Sequence, residues 1–183
     1  MKVAVIGWGS LIWNPGTMNL VFEKWRNDGP KLPIEFARKS KDGRITLVIY
    51  KPYMCEPKRW VRTYWNIISA ESIGEAIEDL GKREHTSSKH IAHITTDSDN
   101  IINDTIKIEI ENWIQDKKLD GAVWTNLPST TKSLKEVILY LKSLQGDTLR
   151  RVKEYIEKTP RQIVTPWRRE IEREFGWRCK SEI

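Results

Sequence analysis

The apolar positions fall into two regimes along the chain. Val3 to Ile6 form a continuous apolar run closed by Gly7, the pattern of a short buried strand. Leu32–Phe36 and Ile45–Tyr50 are β-rich, and the Lys41-Asp42-Gly43-Arg44 segment between them carries an Asp-Gly hairpin signal. Val61–Ile68 reads as a further strand, Ile91–Thr95 as a short one, and Ala122–Thr125 as another after the Asp120-Gly121 turn. Asn19–Arg26 is expected to hold a helical turn or two that gathers Leu20, Val21 and Trp25. Helical spacing is clearer elsewhere. Ser72 and Glu75 have capping-box spacing ahead of Ile73, Ala76, Ile77 and Leu80, which share a face. Ile106, Ile110, Trp113 and Ile114 give 106–119 one apolar face. Leu134–Leu144 and Thr148–Glu157 follow, stopping at Gly146 and before Pro160. A last helix opens with Thr165 as N-cap and Pro166 in the first turn.

Strands therefore gather early and helices late, which argues for an α+β domain rather than regular βαβ alternation. A length of 183 residues fits one domain, with a helical extension from about residue 133 onward. Apolar residues make up 39% and charged residues 31%, a balance that can bury a core. No apolar run approaches the roughly 20 residues of a membrane helix, and the N-terminal stretch reads as a strand rather than a signal peptide. A cytoplasmic location with no membrane partner is the expectation. Cys55 and Cys179 match no metal or redox spacing and are expected as thiols. The net charge of +6 raises the question of nucleic acid. The basic stretches Arg150-Arg151-Lys153 and Arg168-Arg169 are interleaved with Glu154, Glu170, Glu172 and Glu174, so solvated helix faces are expected and no nucleic-acid partner.

Candidate chemistry begins at the first turn. Val3–Ser10 first suggests a dinucleotide-binding strand and loop, which needs three glycines. Gly7 and Gly9 fit two of them, but Ile12 stands where the third belongs and Pro15 interrupts the helix that would face phosphate. That reading is rejected. Glycines also let backbone N–H groups converge on an anion, and Ser10 adds a hydroxyl. From Gly-x-Gly alone, a tight turn made for packing is the simpler account.

The longer string Gly7-Trp8-Gly9-Ser10-Leu11-Ile12-Trp13-Asn14-Pro15-Gly16 closely resembles the signature turn of the gamma-glutamylcyclotransferase-like superfamily, especially its ChaC branch, where the pattern runs Gly-Tyr-Gly-Ser-Leu-Ile-Trp-Asn-Pro. Residues 32–40 and 120–125 resemble a bacterial subgroup of it. The resemblance implies a mixed β-barrel with surrounding helices and one catalytic glutamate after a helix, in a Leu-x-x-x-Glu-like context. Leu80-Gly81-Lys82-Arg83-Glu84 matches, so Glu84 carries that role. The implied reaction is cyclisation of a gamma-glutamyl amine or peptide, with release of 5-oxoproline. One partly buried carboxylate beside the attacking and leaving nitrogens can serve as both base and acid. Gly7, Trp8, Gly9, Ser10 and Leu11 would bind the substrate's carboxylate or its oxyanion through backbone N–H groups, with Arg38 and Trp124 as further contacts. The reaction requires no metal, cofactor or covalent nucleophile. Trp8 departs from the family's tyrosine, and the ChaC branch's downstream arginine-rich, histidine-containing segment is not found.

Blander readings stand beside these. Glu84 read alone is a solvated acid pairing with Lys82 or Arg83, Arg38 a surface charge and Ser40 a turn residue. His85, His90 and His93 lack the spacing of a zinc enzyme, and Ser10 has no evident His-Asp pair. Of the nine tryptophans, Trp113 belongs to a core face, while Trp8, Trp13, Trp65 and Trp124 are candidates for pocket walls or core. The sequence thus leaves first a cyclising enzyme, second a non-catalytic domain that keeps the turn to hold a small acidic metabolite, and third nucleic-acid binding through the basic C-terminal helices, which predicts steeply salt-dependent affinity.

Overall fold

The computed structural model describes residues 1–96 and 104–180. Its strands are β1 (Val3–Gly7), β2 (Lys31–Leu32), β3 (Ile34–Lys39), β4 (Ile45–Ile49), β5 (Val61–Arg62), β6 (Tyr64–Ile68), β7 (Ile91–Thr95) and β8 (Gly121–Thr125). The α-helices are α1 (Ile73–Arg83), α2 (Thr105–Lys117), α3 (Leu134–Ser143), α4 (Gly146–Lys158) and α5 (Pro166–Phe175). The protein is mixed α+β. Its strands form one four-stranded sheet, ordered β6-β1-β8-β7, and the two-stranded ladders β2–β5 and β3–β4. Among the described residues no ladder closes on itself, so the expected barrel is not formed there. Among them, too, no helix is long and apolar enough to cross a membrane.

The chain divides into two compact units. The first comprises residues 1–7, 14–32 and 62–127. Its central strand is β1, buried at all five positions, which is why its sequence is continuously apolar rather than alternating. β1 runs antiparallel to β6, with Val3 opposite Ile68, and parallel to β8, with Val3 opposite Gly121. β7 pairs antiparallel with the other edge of β8. Helix α1 packs on this sheet and α2 on β7, β8 and β2. The Ser72 hydroxyl accepts from the Glu75 N–H and starts α1 as its spacing predicts. Ile106, Ile110, Trp113 and Ile114 are the buried face of α2.

The second unit comprises residues 8–13, 33–61 and 128–180 of those described. Its β3–β4 hairpin turns through Gly43 (φ +83), closed by the Ser40 N–H on Arg44 O at 2.8 Å. Helices α3 and α5 pack on β3. The Thr165 hydroxyl accepts from the Arg168 N–H at the start of α5, and Gly176 ends that helix at φ +70.

Three expectations fail on local physics. Residues 19–26 form no helix, because their backbone bonds to β6 instead. Val21 N–H donates to Ile67 O, Arg26 N–H to Trp65 O, and the Asn66 amide clasps the Phe22 backbone through both its N–H and its C=O. Val21 consequently faces solvent rather than joining Leu20 and Trp25. The expected strand 61–68 is interrupted at buried Thr63, whose N–H and hydroxyl both donate to Pro30 O. Arg168 is not on a solvated face. It is fully buried, donating to the carbonyls of Thr159, Pro160 and Ile163 and to the Glu172 carboxylate.

Candidate functional site

The signature string is shared between the units: Gly7 and Asn14–Gly16 belong to the first, Trp8–Trp13 to the second. Within the second unit the turn is compact. Ile12 N–H closes on Gly9 O at 3.0 Å. Trp8, Leu11 and Ile12 are buried, and the Trp8 indole donates to Leu47 O at 3.3 Å. No residue from Val3 to Pro15 has a positive φ, so Gly9 is not required there for backbone conformation. It is required for space. A Cβ on Gly9 would lie 2.4 Å from the hydroxyl oxygen of Tyr155 in α4. That ring is buried and edge-on to both Trp13 and Phe36. Ser10 is half-buried on this turn.

Arg38, also in the second unit, sits on β3 and donates through Nη1 to Pro128 O at 2.9 Å. Its guanidinium thus ties a loop to the hairpin. Ser40 is part of the hairpin turn, donating to Asp42.

Glu84 belongs to the first unit, as do Gly7 and Trp124. Gly7 ends β1 opposite Tyr64, and Trp124 is buried on β8 opposite Ala92. Glu84 is the C-cap residue of α1, and its N–H donates to Leu80 O at 2.9 Å. After it His85 adopts a left-handed conformation (φ +50). His85 N–H then bonds Lys82 O, and Thr86 N–H bonds Gly81 O. This is a Schellman termination with histidine where glycine is usual. The Glu84 side chain is only 18% exposed, and its Oε1 accepts from Nη1 of Arg83. Arg83, 9% exposed, also donates through Nε and Nη2 to Asn14 O at 3.1 and 2.6 Å. Of the two pairings weighed for Glu84, the structure contains the one with Arg83; Lys82 turns to Glu78 and Asp79. A wide groove of about 700 Å³ runs along the Ile77, Gly81 and His85 side of α1, and Glu84 is not among its lining residues.

The histidines do not converge: His90 shares a hydrogen bond with the Thr86 hydroxyl at 2.8 Å. Among the described residues no group of three or more His, Cys, Asp or Glu side chains is placed to hold a metal ion. Neither cysteine is in a disulfide. Of the candidate pocket-wall tryptophans, Trp8, Trp65 and Trp124 are buried, and Trp13 is half-buried. Trp65 and Trp113 stack edge-on at 5.2 Å and both donate to Asp28, which joins them beneath Lys117. The Trp65 hydrogen bond, with the Lys117 charge behind it, holds the Asp28 carboxyl below its usual value.

The least foreseeable group is Glu35 on β3. It is fully buried in the second unit, where its carboxylate accepts from the Thr165 hydroxyl, the Trp167 N–H at 3.0 Å and the Phe36 N–H at 2.9 Å. Burial raises its pKa from 4.5 to about 7, against the opposing pull of those hydrogen bonds and of Arg59. The one signal in the sequence is an acid inside an apolar stretch, Ile34-Glu35-Phe36-Ala37, with no cation at pairing distance along the strand.

No family model, curated protein or solved structure matches the chain.

Proposed function

We propose that the chain is a gamma-glutamylcyclotransferase-like enzyme that cyclises a gamma-glutamyl amine or small peptide. The substrate's α-amine attacks its own side-chain carbonyl, a C–N bond closes the five-membered ring, and the C–N bond to the leaving amine breaks. Glu84 takes the proton from the attacking nitrogen and returns it to the leaving one, so 5-oxoproline and a free amine result without net proton change. The reading includes kinship with the gamma-glutamylcyclotransferase-like fold and a cytoplasmic setting.

One observation carries it. The glutamate selected by the resemblance is a partly buried carboxylate at a fixed helix end, linked through Arg83 to the Asn14 carbonyl of the signature string itself. A solvated surface acid has no reason to be tied to that string. The test is 5-oxoproline release from a panel of gamma-glutamyl amines and dipeptides. Glu84→Gln, close to isosteric, is expected to lower turnover at least a hundredfold. Equal turnover by both proteins sinks the mechanism. Saturable binding of a gamma-glutamyl compound, with no turnover by either protein, favours the non-catalytic domain instead.

A further inference from the structure

We infer that Arg83 is a positioning residue that sets the orientation of the Glu84 carboxylate; the inference rests on the reading of Glu84 as the acid/base. The backbone at Glu84 is fixed by its own N–H on Leu80 O and by the two hydrogen bonds that terminate α1 on either side of His85. Those bonds leave the side-chain torsions of Glu84 open. Arg83 closes them by donating from Nη1 to Oε1. Neighbouring residues on a helix point about 100° apart and do not ordinarily face each other, so this contact between adjacent residues requires Arg83 to be held in place by something else.

That second anchor is Asn14 O, gripped by Nε and Nη2 together at 3.1 and 2.6 Å. The planar guanidinium presents its donors in a rigid fork, so fixing two nitrogens on one carbonyl also aims the third. Gly16 makes room for the stem: a Cβ there would approach Arg83 Cγ to 3.3 Å, on a backbone at φ +67. The Asn14-Pro15-Gly16 end of the signature string thus acts as the seat of the arginine. The two cations beside Glu84 divide their work. Exposed Lys82 answers the surface acids Glu78 and Asp79, whereas Arg83, 9% exposed, links the string to the carboxylate. A lysine has three donors but no planar fork, so its grip on Asn14 O would not aim a further donor at Glu84 as the guanidinium does.

The experiment compares wild type, Arg83→Met, Arg83→Lys and Glu84→Gln in 5-oxoproline release, with kcat and KM measured separately and folding checked by circular dichroism. Misplacing a catalytic group by about 1 Å costs on the order of a hundredfold, so Arg83→Met is expected to lower kcat roughly tenfold to a hundredfold with KM nearly unchanged. Added guanidinium is expected to recover part of the loss in Arg83→Met and none in Glu84→Gln. Arg83→Lys is expected to fall between. If Arg83→Met does not fold, Arg83→Lys decides: wild-type kcat in that variant overturns the inference. It is also overturned if Arg83→Met keeps kcat within twofold while Glu84→Gln is inactive, an outcome that leaves the acid/base reading intact. Full activity of Glu84→Gln removes that reading and this inference together.

Discussion

Glu35 makes the stability of the second unit depend on pH in a direction opposite to that of most carboxylates. Its pKa lies above the ordinary 4.5, at about 7, so the folded protein holds the proton more tightly than the unfolded chain does. The resulting stabilisation is complete below pH 4.5 and is lost as pH rises through about 7. One proton is worth about 1.4 kcal/mol per pH unit, and the whole interval about 3 kcal/mol. Between pH 5 and pH 8 about 2 to 3 kcal/mol of this is expressed. Glu35→Gln cannot titrate and therefore lacks that slope. It has a cost of its own: with its carbonyl facing Thr165 and Phe36, its amide nitrogen meets the Trp167 N–H, leaving a buried donor unsatisfied at about 1–3 kcal/mol. The variant is thus expected to be clearly less stable than wild type at pH 5 and to close the gap, or overtake it, by pH 8. Equilibrium urea unfolding of both proteins at pH 5, 6, 7 and 8, followed by tryptophan fluorescence, measures the difference. Subtracting the two curves cancels every other titrating group. A difference that stays constant across that range refutes the account of Glu35.

Two further expectations concern the backbone. Gly9→Ala places a methyl against the Tyr155 hydroxyl and is expected to destabilise the protein by about 1–3 kcal/mol. In a Tyr155→Phe background the nearest contact becomes the ring carbon at 3.5 Å, and most of the penalty should vanish; additivity in the double-mutant cycle rules the packing argument out. Lys118 is an exposed residue in left-handed conformation (φ +54) after α2. Lys118→Gly should stabilise by about 0.5–1 kcal/mol and Lys118→Ala should not; equal thermal midpoints for the two variants contradict this.

What could be read from the sequence is what is local. Ser72, Thr165 and Pro166 mark helix starts by chemistry confined to one turn, and Asp42-Gly43 fixes its hairpin the same way. β1 is legible because a central strand needs apolar residues on both faces. Residues 19–26 are not legible as a helix or otherwise because β6 and the Asn66 amide, 44 positions on from Phe22, supply their partners, which no spacing rule registers. The burial of Arg168 is hidden for a related reason. Its charge pattern matches a surface helix, and only the carbonyls of Thr159, Pro160 and Ile163 make burial tolerable. At the candidate site, Glu84 is singled out by the family-like string and not by its own surroundings. Arg83 was visible only as a neighbouring charge, since its role depends on a carbonyl 69 residues earlier.

The strand order β6-β1-β8-β7 also constrains how this protein can be made. β8 is the last of the four in sequence, yet it lies between β1 and β7 and supplies one edge of each. On a ribosome, β1 and β6 can pair early, but β7 has no seat until residues 121–125 emerge, and α1 has only part of its platform. The four-stranded sheet is therefore completed by an insertion rather than by growth from one side. A chain cut short before Gly121 would lack the strand on which β7 docks, and with it much of the sheet on which α1 packs.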